Sequence, residues 1–79
     1  MIAAEDMTID TRIYHLLIHQ NGEILVEGTF TEEEVEAHIR QTSPSNLKPK
    51  RIIMLAILSQ GQHLIGGWNI VLHRVYRNL

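Results

Sequence analysis

Residues 51–58 read RIIMLAIL and residues 63–76 read HLIGGWNIVLHRVY, and the assignment of these two stretches decides the fold. The first is apolar at odd and even positions alike, the pattern of a central strand buried on both faces. The second has high β propensity through Trp68, Ile70, Val71, Val75 and Tyr76, which favours strand. Its competing reading is a helix. Ile65, Trp68, Leu72, Val75 and Leu79 also fall at spacings of 3, 4, 3 and 4, with Gly66-Gly67 as the break before them.

Working back from there, RIYHLLIH (12–19) and EILVEGTF (23–30) flank Gln20-Asn21-Gly22, and Asn-Gly between two such runs signals a hairpin. A two-residue turn would set Ile18 against Leu25 and Leu16 against Glu27, mixing polar and apolar groups on both faces. A three-residue loop with Gly22 in the left-handed region instead pairs Ile18 with Ile24, Leu16 with Val26 and Tyr14 with Gly28. On the other face that register predicts Leu17 beside Leu25 and two cross-strand ion pairs, His15/Glu27 and His19/Glu23.

Between the hairpin and residue 51 the local signals specify a helix over about 32–42. Thr31 is a suitable N-cap, Glu34 completes a capping box, and Phe30 with Val35 forms a hydrophobic staple. Glu32, Glu33 and Glu34 complement the helix dipole, and Glu36 reaches Arg40 one turn on. Ser43-Pro44-Ser45-Asn46 ends the helix, and Leu47 to Lys50 is read as an extended connector.

These elements assemble into an α+β domain over residues 11–79, preceded by an arm over 1–10 that lacks periodicity. The expected architecture is ββαββ: a four-stranded antiparallel sheet in order 2-1-3-4 with one helix on one face. The alternative is ββαβα with a C-terminal helix. In the strand reading the second face carries Ile13, Leu17 and Leu25 plus alternate residues of the third strand. That apolar surface calls for a second copy of the chain or another protein partner. A chain of 79 residues buries only about 60% of its unfolded surface, which adds to the expectation of a partner.

Composition narrows the function classes. There is no cysteine, hence no disulfide framework and no thiolate chemistry, and MIAAEDMTID has three acids and no base where an export signal needs a basic start. The longest apolar run, Ile52 to Leu58, is far short of the roughly 20 residues that span a bilayer. A cytoplasmic protein with no membrane partner is expected. Nine acids and one base fall in residues 1–36, a sum of −8, whereas residues 37–79 hold six bases and no acid. Such a split supports an acidic face for a basic protein, a basic face for nucleic acid, or two halves that neutralise each other.

The search for catalytic chemistry is negative. Ser43, Ser45 and Ser59 lack a strained strand-turn-helix context. Gly66-Gly67 has neither the Lys-Ser/Thr of a phosphate loop nor a dinucleotide fingerprint. Histidines 15, 19, 38, 63 and 73 raise a metal question, but His15 and His19 on a strand stand about 13 Å apart, too far for one ion. No metal, no cofactor and no enzymatic activity are expected.

What remains is a non-enzymatic protein-interaction module, an adaptor, assembly subunit or inhibitor, expected to be homodimeric or part of a complex. Its candidate contact residues are Glu32, Glu33 and Glu36 with Asp10 on the acidic side, and His15, Leu17 and Leu25 on the sheet. The edge strand from Glu23 to Phe30 is a second route for a partner strand. The alternative is a nucleic-acid-binding regulator using Lys48, Lys50, Arg51, Arg74 and Arg77 with Tyr76 as a stacking group. A further alternative, an inhibitor of a host defence complex, rests on scale alone, which small viral inhibitors such as anti-CRISPR proteins share; no motif supports it.

Overall fold

The computed structural model describes residues 9–76, with side chains at 13–75. Six elements follow in order: β1 (Ile9–Gln20), β2 (Glu23–Thr31), α1 (Glu32–Thr42), α2 (Pro49–Leu58), β3 (Gln62–Ile65) and β4 (Trp68–Tyr76). The four strands form one antiparallel sheet in the order β2-β1-β4-β3. The α+β class, the four-stranded antiparallel sheet and the strand assignment of the C-terminal stretch are therefore present. Most of the expected N-terminal arm, residues 1–8, lies outside the described residues, while Ile9 and Asp10 belong to β1 and pair with Tyr76 and Val75.

Residues 51–58 form helix α2, not the expected central strand. Pro49 occupies the first turn, where its fixed φ suits a helix and its missing N–H costs nothing, so the residues read as a connector are the helix start. Ile52, Ile53 and Ala56 are buried with Ile57 packed beside them, a helical spacing, whereas Met54 and Leu58 face outward. An apolar run this short has no polar positions to reveal its period, so strand and helix read alike. Two consequences correct the expected topology. Two helices, not one, cover the sheet, and β4 takes the place beside β1, changing the order from 2-1-3-4 to 2-1-4-3.

The hairpin register also differs. Asn21 and Gly22 form a two-residue turn with positive φ at both positions, 52° and 86°, the geometry whose twist suits a β-hairpin. The mismatch that argued against this turn is absorbed by a bulge at Leu25. His19 sits opposite Ile24 but Ile18 opposite Val26, leaving Leu25 as the extra residue. Past the bulge, Leu17 faces Glu27, His15 faces Thr29 and Tyr14 faces Phe30. The expected His15/Glu27 and His19/Glu23 pairs and the Leu17/Leu25 neighbours are therefore not formed.

Alternation places Tyr14, Leu16 and Ile18 of β1 with Trp68, Ile70 and Leu72 of β4 on one face, where they meet Val35 and Ile39 of α1 and Ile52, Ile53 and Ala56 of α2 in a single core. Helix α1 lies over β2 and β1, and α2 over β4 and β3. Trp68 is fully buried and its Nε1–H donates to Thr42 Oγ1 at 3.1 Å, while that hydroxyl donates to the His38 carbonyl at 2.8 Å. The sheet is thereby fastened to the last turn of α1.

The start of α1 follows the local signals closely. Strand β2 runs without a loop into Thr31, whose Oγ1 accepts from the Glu34 N–H at 3.2 Å while the Thr31 N–H donates to Glu34 Oε1 at 2.9 Å. Val35 is buried and Phe30 packs against the same core, and the Phe30 ring meets His38 edge-on at 4.7 Å. Thr31→Ala removes half of this reciprocal cap and should cost about 1 kcal/mol, read as a drop of about 4–8 °C in the thermal midpoint. An unchanged midpoint would mean the cap is not formed in solution.

Candidate protein-contact face

The face of the sheet opposite the helices is uncovered among the described residues. It is built from the alternate residues of each strand, and the registers arrange them in rows. One row holds Ile24, His19, Asn69 and Leu64 from β2, β1, β4 and β3; the next holds Glu27, Leu17, Val71 and Gln62; the third holds Thr29, His15 and His73. Ile24 and Leu64 are 58% and 59% exposed, and Leu17 and Val71 are half-buried at the centre.

Within this face, Asn69 is 6% exposed, and its side-chain amide lies 2.9 Å from His19 Nε2, within hydrogen-bond distance. The Asn69 Oδ1 is buried without a hydrogen-bond partner among the described residues. His15 Nδ1 lies 3.4 Å from Thr29 Oγ1, and His15 stands directly across from His73. Among the described residues there is no cluster of three or more metal-ligating side chains.

The predicted contact residues separate into two groups. His15 and Leu17 lie in the rows of the open face, and Leu25 sits at the bulge on the adjoining edge, 39% exposed. Glu32, Glu33 and Glu36 lie elsewhere, at the start of α1, where with Thr31 and Lys50 they line a cleft of about 370 Å³. Lys50 is on the neighbouring helix, so the two oppositely charged parts of the chain meet here. Glu36 also pairs with Arg40 at 3.7 Å, a surface contact of the weak kind. Asp10 lies on β1, and its side chain is outside the described set.

The basic residues do not form one patch. Lys48, Lys50 and Arg51 sit at the N-terminal end of α2, whereas Arg74 lines a cavity of about 250 Å³ at its other end with Ile57, Gln60 and His73. The seven helical residues 52–58, about 10 Å, stand between them. Arg77 and the Tyr76 side chain fall outside the described residues.

Val71, His73 and Asn69 were not among the contact residues expected from the sequence. The signal was available in the alternation of WNIVLHRV, but it needed β4 placed beside β1, the position assigned to residues 51–58. Comparison with known proteins returns no matching family model, no matching curated protein and no matching solved structure. No helix among the described residues is long and apolar enough to cross a membrane. Fold and surface together define a small α+β module with a half-covered antiparallel sheet.

Proposed function

We propose that this chain is a non-enzymatic protein-interaction module that works through the open face of its sheet. The observation that carries this reading is the sheet face with Leu17 and Val71 at its centre and His15, His19 and His73 in the neighbouring rows, left uncovered among the described residues because both helices pack on the other side. A two-layer domain normally leaves polar residues on its solvent face, and an apolar patch rimmed by polar groups marks a contact surface.

The sheet edges support a face contact over an edge contact. Strand β2 carries the Leu25 bulge, and β3 is only 4 residues long, so neither edge offers a long straight ladder to an incoming strand. The acidic cleft at α1 is partly balanced by Lys50 and lies on the helix side of the sheet, apart from the open face.

Affinity capture of the tagged chain from its native lysate, with and without nuclease and in parallel with Leu17→Glu, tests the reading. A protein retained after nuclease treatment by the wild type and lost by the variant is the expected result. Retention that disappears with nuclease would overturn it and bring Lys48, Lys50, Arg51 and Arg74 to the fore.

A further inference from the structure

The rows of the open face read nearly the same from either side of the β1/β4 seam. Ile24 and Leu64 are its apolar ends in one row, with His19 and Asn69 between them. Glu27 and Gln62 are the polar ends in the next, enclosing Leu17 and Val71. In the third, His15 and His73 are register partners across the seam, with the His73 ring leaning over Gly61. Such a pattern maps onto itself under a two-fold axis that runs along the seam and lies in the plane between two stacked sheets.

We infer that the occupant of this face is a second copy of the chain, packed sheet to sheet about that axis. This rests on the open-face reading above and names its partner. A closed two-fold contact must use one self-complementary patch on both subunits. Here the axis sets Leu17 over Val71 of the second copy, Ile24 over Leu64, His19 over Asn69 and Glu27 over Gln62. In the first two rows each apolar group meets an apolar group, and each hydrogen-bonding group meets another.

Charge selects this axis over its rival. A two-fold perpendicular to the strands and through the Leu17/Val71 row would stack each strand on itself and bring the two Glu27 carboxylates together, a like-charge contact that disfavours that packing. The axis along the seam keeps them at opposite margins, each facing an amide. Four strands about 4.8 Å apart and three rows about 6.8 Å apart give a face of roughly 400 Å² per copy. Two such faces total about 800 Å², the size of a weak contact that forms at high protein concentration. Aligned sheets pack at about 30° to one another, which preserves the central Leu17/Val71 contacts.

Sedimentation equilibrium of the full chain at micromolar to 200 µM concentrations tests the inference, with circular dichroism confirming that each variant is folded. The wild type should sediment at twice its 9.1 kDa mass. Leu17→Glu and Val71→Lys should each weaken self-association at least about 100-fold, since each buries a charge at the centre of the contact. An equimolar mixture of L17E and V71K should recover the dimer, because only the seam axis places positions 17 and 71 of different copies face to face. A monomeric wild type at 200 µM overturns the inference whether or not the variants fold, as does a dimer indifferent to both substitutions or a mixture that fails to reassociate. A monomer whose Leu17→Glu variant still loses a captured protein overturns the second copy alone and leaves the open-face reading standing. A monomer whose capture is unaffected by that variant overturns both.

Discussion

Trp68→Ala is expected to lower the unfolding free energy by about 3–5 kcal/mol. That approaches the whole stability of a domain of this length, about 4–12 kcal/mol. The indole is fully buried at the start of β4, in the same core as Leu16, Ile18, Val35 and Ile52. It therefore joins both layers, and no neighbouring side chain can expand to fill its volume. Truncation also leaves Thr42 Oγ1 without the N–H it accepts at 3.1 Å. Thr42→Val, which keeps the volume but orphans the indole N–H, separates the polar part and should cost about 1–3 kcal/mol. Urea denaturation followed by far-ultraviolet circular dichroism measures both, since Trp68 is the chain's single tryptophan and cannot report on its own removal. A loss below about 1 kcal/mol for Trp68→Ala would contradict its place in the core.

Gly61→Ala should cost about 3 kcal/mol, from two sources that add at one residue. Helix α2 ends in a paired closure: the Gln60 N–H donates to the Ile57 carbonyl at 3.2 Å, and the Gly61 N–H to the Ala56 carbonyl at 2.7 Å. Gly61 has φ +95°, where an L side chain costs about 1–2 kcal/mol. An added Cβ would meet His73 Cε1 at 2.7 Å and the Leu72 carbonyl oxygen at 3.2 Å, and the latter is backbone that cannot swing away. Overpacking adds about 1–3 kcal/mol. The shift would strain the bond from the Leu72 N–H to the Gly61 carbonyl, 2.7 Å, which links the end of α2 to β4. Gln60 supplies the opposite control. It holds φ +62° with a side chain, so Gln60→Gly should stabilise by up to about 1 kcal/mol. If both substitutions destabilise alike, the positive-φ closure is not the cause.

These two positions show where tertiary structure overruled local reading. Gln60 and Gly61 follow a segment expected as a strand and found as a helix, and the left-handed pair is there to reverse α2 into β3. Residues 51–58 carry too few polar positions to display a period. They became a helix because Pro49 starts one and because the face formed by Leu16, Ile18, Trp68 and Ile70 needs more cover than α1 alone supplies. Once that segment left the sheet, β4 became the neighbour of β1.

The candidate face was half legible for the same reason. His15 and Leu17 could be placed on an uncovered side by alternation along β1, since a period of two is a property of the strand itself. Val71, His73 and Asn69 could not, because their place beside them depends on which strand pairs with β1. The Leu25 bulge lay outside reach as well: the twist of the Asn21-Gly22 turn and the burial of Val26, Leu16 and Ile18 together require one extra residue, and neither demand alone reveals it.

By itself, then, the sequence determined what depends on contacts a few residues apart. These are the Thr31/Glu34 cap, the span of α1, the presence of a hairpin at Asn21-Gly22, the strand character of the C-terminal stretch and the lack of thiol chemistry. Only the tertiary structure decided the state of residues 51–58, the strand order, the bulged register and the composition of the open face. Each of those depends on which apolar surface covers which other, a choice made by burial over the whole domain and not by the propensity of any one segment.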